Sequence, residues 1–112
     1  MKFKFQLSQK KPLKMAEGIS SLPLALEPVM VNIVEMEEGS EVPEHSHPQE
    51  QISLILEGEL EFELEGEKFL LKAGEGVLIP KNASHRAKAR KKTLAYDIFS
   101  PPRWDYLEKL KK

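Results

Sequence analysis

The chain has 112 residues, of which 40% are hydrophobic, and its formal net charge at pH 7 is -1. This length predicts one domain with a single core. The near-neutral charge lacks the basic excess that attracts nucleic acid or an anionic membrane, so neither is expected as a partner. Because the chain contains no cysteine, disulfides and thiolate catalysis are excluded, and any bound metal must be held by nitrogen and oxygen atoms.

The amino-terminal sequence MKFKFQLSQKK places lysines among its apolar residues. It lacks the continuous apolar stretch of a signal peptide, and no later segment has the length of a membrane span. We therefore expect a cytoplasmic protein. The acids are mostly Glu and the bases mostly Lys, a bias that resembles proteins of heat-adapted organisms.

Short segments in which apolar and polar residues alternate predict β-strands. In chain order they cover Lys2 to Leu7, Val29 to Met36, Gln51 to Glu57, Val77 to Ile79, Ser84 to Ala89 and Leu94 to Phe99. Residues 9–28 contain prolines and no sustained pattern, so we expect an irregular arm that packs on this subunit or on a neighbour. Many short strands at this spacing are typical of an antiparallel sandwich or barrel.

The sequence GELEFELEGEKFLLK, residues 58–72, predicts a β-hairpin that turns at Gly66. Leu60, Phe62 and Leu64 would face the core, and the glutamates between them would face water rather than bind a cation. The basic segment RAKARKK, residues 86–92, is interpreted in the same way, as an outer strand face and turn whose charge offsets that of the glutamates.

After Pro101 and Pro102, the sequence WDYLEKLKK predicts a helix with Trp104, Leu107 and Leu110 on one face, capping one side of the barrel. The expected architecture is therefore one all-β domain over residues 1–112. It divides into an N-terminal strand and irregular arm (1–28), a barrel core (29–99) and a C-terminal helical cap (100–112).

The sequence EHSHPQEQ, residues 44–51, holds two of the three histidines, His45 and His47. If residues 45–55 form one extended strand, alternate side chains share a face. That face would carry His45, His47, Gln51, Ser53 and Ile55. Glu50 would point the other way, although Pro48 could introduce a bulge that shifts the phase by one residue and makes Glu50 the ligand instead.

The third histidine, His85, begins a later strand. Two histidines separated by one residue, with a third far along the chain, are how a barrel collects imidazoles around one ion. Scattered surface histidines are the alternative. With Gln51 as the fourth ligand, a divalent ion keeps a charge of about +2 instead of the about +1 that Glu would leave, which favours an anionic substrate. Otherwise, Gln51 only hydrogen-bonds a neighbour.

Two segments resemble the sequence motifs of the cupin superfamily. The first matches at Gly39, His45, His47, Gln51 and Gly58, with Gln51 where Glu is usual, and the second at Gly74, Pro80, Asn82 and His85. Asn82 replaces a usual Gly, which Asn can do because it tolerates left-handed backbone geometry. The resemblance implies a jelly-roll barrel (a double-stranded β-helix), commonly dimeric, with one divalent metal in its mouth. Mn, Fe, Co, Ni and Zn all accept these ligands.

The last predicted strand places Thr93, Ala95, Asp97 and Phe99 on one face. A carboxylate between small and aromatic residues indicates the wall of a cavity. Arg103 follows two prolines, and arginine is a natural bidentate partner for a carboxylate. Alternatively, Asp97 and Arg103 pair with each other or with surface charges.

The pattern of Asp97, Phe99 and Arg103 resembles small cupins of pectin and alginate breakdown, which convert unsaturated monouronates to linear ketouronates. The resemblance implies that Asp97 is a general acid or base, that Arg103 binds the uronate carboxylate and that Phe99 lines the sugar site. We expect Ser53 to contact the substrate as well. Two alternatives stay open, namely a cupin dioxygenase that uses a redox metal and oxygen, and a non-catalytic binder of a sugar or other small ligand.

Overall fold

The structure is a computed structural model that describes residues 3–108. In this range ten strands form two antiparallel sheets that pack face to face. The strands are β1 (Leu13–Ala16), β2 (Ile19–Ala25), β3 (Met30–Met36), β4 (Glu41–His45), β5 (Glu50–Glu57), β6 (Glu59–Leu64), β7 (Glu67–Lys72), β8 (Gly76–Ile79), β9 (His85–Ala89) and β10 (Thr93–Ser100). The larger sheet has the order β1-β2-β3-β10-β5-β8, and the smaller has the order β4-β9-β6-β7. The predicted all-β barrel is confirmed.

The core lies between the sheets because each strand turns alternate side chains inward. Ile55 and Ala95 of the larger sheet pack in one cluster with Leu60 and Phe62 of the smaller sheet. The predicted hairpin is present, and residues 65 and 66, with φ of 48° and 83°, form its two-residue turn.

The hairpin glutamates lie toward the outside and meet the basic segment. Glu63 pairs with Arg86 at 2.6 Å, and Glu59 pairs with Lys91 at 2.7 Å. The two segments offset each other's charge, as the sequence predicts.

The amino-terminal region differs from the prediction. Residues 3–6 form no strand and Leu7–Gln9 is a single 3-10 turn, so the strand expected from Lys2 to Leu7 is wrong over its described part. The arm expected to be irregular contains β1 and β2, and β2 pairs with β3 along its whole length. Pro23 has no backbone N–H to donate to a neighbouring strand. It is tolerated because β1 pairs only with residues 19–21, so β1 offers no hydrogen-bond acceptor beside Pro23.

The histidine segment is also interrupted. β4 ends at His45 and β5 begins at Glu50, so the continuous strand expected over residues 45–55 is wrong. The loop between them is held by Asn82, whose backbone N–H donates to the His47 carbonyl at 2.8 Å. Asn82 has a φ of 63°, the left-handed geometry expected at this position.

The C-terminal helix α1 covers Trp104–Glu108, and the remainder of the predicted helix lies outside the described residues. Trp104 is 54% exposed, so the inward face expected for it is wrong. Tyr106 faces inward instead and packs edge-on against Phe99, with ring centroids 6.2 Å apart. No helix within residues 3–108 is long and apolar enough to cross a membrane.

Candidate metal centre and its cavity

The three histidines meet between the two sheets. His45 and His85 are cross-strand partners on β4 and β9, and His47 reaches them from the loop before β5. The ring centroids of His45 and His85 are 4.3 Å apart, and that of His47 lies 5.0 Å from His85 and 5.6 Å from His45. One ring nitrogen from each histidine lies within 4.8 Å of the other two, so the group can hold a metal ion.

Backbone carbonyls fix the orientation of all three rings. Nδ1 of His45 lies 2.9 Å from the Pro43 carbonyl, Nδ1 of His47 lies 3.0 Å from that of Gln49, and Nδ1 of His85 lies 2.8 Å from that of Ala83. Because a carbonyl only accepts, each Nδ1 carries the hydrogen and donates. The Nε2 lone pair of a neutral ring is then available to a metal.

Burial favours the neutral form of two of these histidines. It lowers the pKa of His85 to about 4. Burial, followed by the positive charge of Arg103, also lowers the pKa of His47. Both rings are therefore neutral at neutral pH, as metal ligation requires.

Gln51 faces the histidines, whereas Glu50 is exposed on the opposite side of β5. The alternation that favoured Gln51 is thus observed, and Glu50 is not placed to act as the ligand. The Gln51 Oε1 atom lies 2.9 Å from Nε2 of His47. Both atoms are acceptors when the ring is neutral, so no hydrogen lies between them. A cation held by both lone pairs resolves this conflict, and in this respect the residues fit a metal.

Two hydrogen bonds connect the amide nitrogen of Gln51 to Asp97 through Ser53. Its Nε2 atom donates to the Ser53 hydroxyl at 2.8 Å, and Ser53 donates to Oδ1 of Asp97 at 2.7 Å. Burial raises the pKa of Asp97 to about 6, against the opposing effects of the Ser53 and Gln51 hydrogen bonds and the charge of Arg103. Asp97 can therefore gain or lose a proton near neutral pH.

The hydrogen bonds that connect His47, Gln51, Ser53 and Asp97 have two consistent arrangements of their hydrogen atoms. With the Gln51 oxygen toward His47, the Gln51 amide donates to Ser53 and the Ser53 hydroxyl donates to Asp97. This arrangement favours the carboxylate form of Asp97, which is the stronger acceptor. With the amide reversed, Gln51 donates to His47 and accepts from Ser53, and Asp97 must be protonated to donate to Ser53. A cation at His47 and Gln51 selects the first state, so metal ligation favours ionised Asp97.

The side chains from the last strand face a cavity of about 280 Å³ between the sheets, as the sequence predicts. Its lining includes Asp97, Phe99, Arg103 and Tyr106, together with His45, His85, Gln51 and Ser53. Apolar residues such as Ile19, Val34 and Ile55 form much of the remaining wall. A mostly apolar cavity with a few convergent polar groups is typical of a small-molecule site.

Arg103 pairs with a neighbouring acid and not directly with Asp97. Its Nε and Nη2 atoms donate to the carboxylate of Asp105 at 3.1 and 2.8 Å. The guanidinium lies 4.3 Å from the ring centroid of Tyr106 and 5.7 Å from that of Phe99. Asp105 thus engages the Nε and Nη2 atoms of the guanidinium fork, and the Tyr106 side chain also interacts with the guanidinium.

The sequence analysis did not place Ser21, Asn32 or Tyr106 in the cavity, although all three line it. Asn32 left a signal, since it is the one polar residue among the inward positions 30, 32, 34 and 36 of β3. Ser21 lies in the segment expected to be irregular, where no phase could be assigned.

Comparison with known proteins agrees with this fold and site. Residues 32–99 match the cupin domain model Cupin_2. The chain therefore belongs to the cupin family, and its two packed sheets with a histidine cluster between them are those of a small jelly-roll cupin.

Among individual proteins, the chain resembles cupins of pectin degradation. It is 32% identical over 81 residues to the pectin degradation protein KdgF of Dickeya dadantii, covering 70% of this chain and 74% of that protein. The solved structure of KdgF from Halomonas sp. superposes with a TM-score of 0.87 at 30% identity, covering 91% of this chain and 96% of that one.

A second curated relative is matched over a shorter region. The polyketide synthase protein CurC of Streptomyces cyaneus is 42% identical over 52 residues, which is 46% of this chain and 34% of that protein. The chain thus spans about a third of that relative's length.

The raised pKa of Asp97 predicts a stability effect that depends on pH. As the pH rises through about 6, Asp97 loses its proton in the folded protein at a free-energy cost, whereas in the unfolded chain it is already ionised above its ordinary 3.8. We expect Asp97→Asn to raise the unfolding free energy of the metal-free protein by ~1–2 kcal/mol at about pH 8, with no gain at about pH 4.

Urea denaturation at the two pH values measures this difference. Glu61→Gln is the control. Glu61 is exposed on the outer hairpin face, so this substitution removes a negative charge outside the cavity. A stability gain for Asp97→Asn that is the same at both pH values would contradict the assignment.

Proposed function

We propose that the protein is a metal-dependent enzyme that acts on a small carboxylate-bearing sugar, and that its reaction opens or isomerises an unsaturated monouronate to a linear ketouronate. One observation carries the proposal: a single cavity is lined by residues of the candidate metal centre, by a carboxyl group with a pKa near neutral and by an arginine. The similarity to proteins named for pectin degradation supports the same substrate class.

His45, His47, His85 and Gln51 would hold one divalent ion, either Mn, Fe, Co, Ni or Zn. A bound ion would supply Lewis acidity toward an oxygen atom of the substrate. Because all four ligands are neutral, the ion keeps its full charge of about +2. An anionic substrate is therefore favoured over a neutral one.

The chain's own residues supply binding and proton transfer. Arg103, already stacked on Tyr106, would bind the substrate carboxylate through Nη1, which does not bind Asp105. Phe99 and Tyr106 offer aromatic surface to the ring. Asp97, held by the Ser53 hydroxyl, would move the proton between substrate atoms.

The enzymatic proposal is tested with the metal-loaded protein and unsaturated galacturonate, by following the loss of the enol-ether absorbance. We expect Asp97→Asn to lower kcat by at least about 100-fold, since it removes the proton-transfer group. Arg103→Lys should mainly raise KM, by about 10-fold, because the bidentate fork is lost. Arg86→Lys, on the outer surface, is the matched control.

An unchanged spectrum, with the metal confirmed present by elemental analysis, would refute the substrate assignment. Oxygen uptake with a diketone or flavonol in the same preparation would support the dioxygenase alternative.

The neutral fourth ligand generates a separate prediction. We expect protein purified without added metal to retain one equivalent of a divalent ion and His47→Ala to lose it. Gln51→Glu should bind the ion about 10-fold more tightly in competition with a chelator, and should bind galacturonate about 10-fold more weakly, because the added carboxylate neutralises part of the ion's charge.

Glu50→Gln, which alters an exposed acid one residue away, should change neither affinity. Retention of the metal by His47→Ala would show that the proposed ligand set is wrong.

We further propose that the protein is a homodimer formed through the outer face of the larger sheet. Outward side chains there form two apolar rows that cross the strands in register, Leu24–Val31–Ile98–Ile52–Leu78 and Leu22–Ile33–Tyr96–Leu54. Ile52, Leu54 and Leu78 are 43%, 42% and 72% exposed. A contiguous apolar face of this kind is typical of an interface, and a second copy can match it symmetrically.

Size-exclusion chromatography with light scattering tests the dimer. The unaltered protein should elute with twice the chain mass, and Leu54→Lys should elute as a monomer, because a charge would be buried in the centre of the interface. Leu70→Lys, on the outer face of the smaller sheet, should remain dimeric. A monomeric unaltered protein at high concentration would exclude this interface.

A further inference from the structure

Two polar side chains in the cavity, Ser21 and Asn32, are not explained by the metal centre. They are only 1% and 3% exposed, and both line the cavity. The Ser21 Oγ and Asn32 Oδ1 atoms are buried without a hydrogen-bond partner. Buried polar atoms are nearly always paired because leaving them unpaired is costly, so such atoms in two residues of a cavity wall call for a partner that enters the cavity.

Sheet register places this pair beside the proposed reaction centre. Asn32 of β3 lies directly opposite Asp97 of β10, which lies opposite Ser53 of β5. Ser21 of β2 lies opposite Val34, so it is a diagonal neighbour of Asn32 on the same inward face. Adjacent strands are about 4.8 Å apart. Asn32 is therefore one strand from Asp97 and Ser21 is two, on the side away from Gln51.

The free atoms define the chemistry that can bind them. The Asn32 oxygen only accepts a hydrogen bond, whereas the Ser21 hydroxyl both donates and accepts. A ligand hydroxyl matches the pair, because it can donate to Asn32 and accept from Ser21. A carboxylate cannot donate to Asn32, and an apolar group would leave both atoms unpaired. The surrounding Ile19, Val34 and Met36 offer no competing partner for such a hydroxyl.

We propose that Ser21 and Asn32 form a hydroxyl-binding subsite that selects polyhydroxylated ring acids over simple carboxylates. The subsite rests on the proposed function for the orientation of the ring, with its carboxylate at Arg103 and a ring hydroxyl at the β2–β3 wall. A site built around unpaired polar atoms discriminates strongly against a ligand that lacks the matching hydroxyl.

Three probes separate the two halves of this proposal in calorimetric titrations of the metal-loaded 112-residue protein. Galacturonate carries the carboxylate and the hydroxyls, tetrahydropyran-2-carboxylate carries only the carboxylate, and galactose carries only the hydroxyls. We expect Ser21→Ala and Asn32→Ala each to weaken galacturonate binding by about 10-fold and galactose binding by a similar factor. Binding of tetrahydropyran-2-carboxylate should not change.

The control is Ser20→Ala, which removes the same hydroxyl from the adjacent, outward-facing position of β2 and should leave all three affinities unchanged. Thermal melting gives a second measurement. Ser21→Ala should not lower the melting temperature, because its hydroxyl has no partner in the folded protein. A lower melting temperature would show a structural role and overturn the subsite.

The outcomes are distinct from those that test the proposed function. If galacturonate and galactose bind equally well to the unaltered protein, the carboxylate contributes nothing and the proposed function fails, while the response of galactose to Ser21→Ala still decides the subsite. If galacturonate and tetrahydropyran-2-carboxylate bind equally well, or if Ser21→Ala weakens neither hydroxylated probe, the subsite is wrong.

Discussion

The hydrogen bond from His47 Nδ1 to the Gln49 carbonyl constrains the whole site. It leaves a lone pair on Nε2 facing the Gln51 oxygen, and this contact between two acceptors is tolerable only with a cation nearby or with the amide reversed. The amide direction then determines whether Ser53 donates to Asp97 or to Gln51, and donation to Asp97 favours its ionised form. One backbone carbonyl in a four-residue loop thereby links the ligand geometry of an ion to the charge of an acid on a different strand.

The polar groups of this site lower the stability of the folded protein. A desolvated carboxyl, two desolvated imidazoles and two unpaired polar atoms all lie between the sheets, where apolar side chains would stabilise the fold more. The tight hairpin and the apolar cluster around Ile55 and Phe62 offset that cost. Such local conflict with otherwise consistent packing is a physical mark of a functional site.

The sequence predicted those features of the fold and site that depend on residues close together in the chain. It did not predict those that depend on pairing between distant strands. Alternation was sufficient for the central strands and for the facing of Gln51 and Asp97. The left-handed backbone of Asn82 was expected from the cupin motif, where Asn82 replaces a usual Gly. Alternation failed where proline obscured the pattern, as at Pro23. This proline fits in a strand because the pairing of β1 with β2 extends only as far as Ser21. Asn32 could not be placed beside Asp97 from sequence, because register between β3 and β10 joins residues 65 positions apart along the chain.

The central strand β10 alternates two unrelated roles. Ala95, Asp97 and Phe99 face the cavity, and Tyr96 and Ile98 lie in the outward apolar rows. Because the side-chain period of a strand is two, a deletion of one residue early in β10 would exchange these sets. Asp97 would then be carried to the outer face and Ile98 would turn toward the histidines. Point substitutions can adjust either role alone, but insertions and deletions in this strand cannot, so its length is constrained more tightly than its composition.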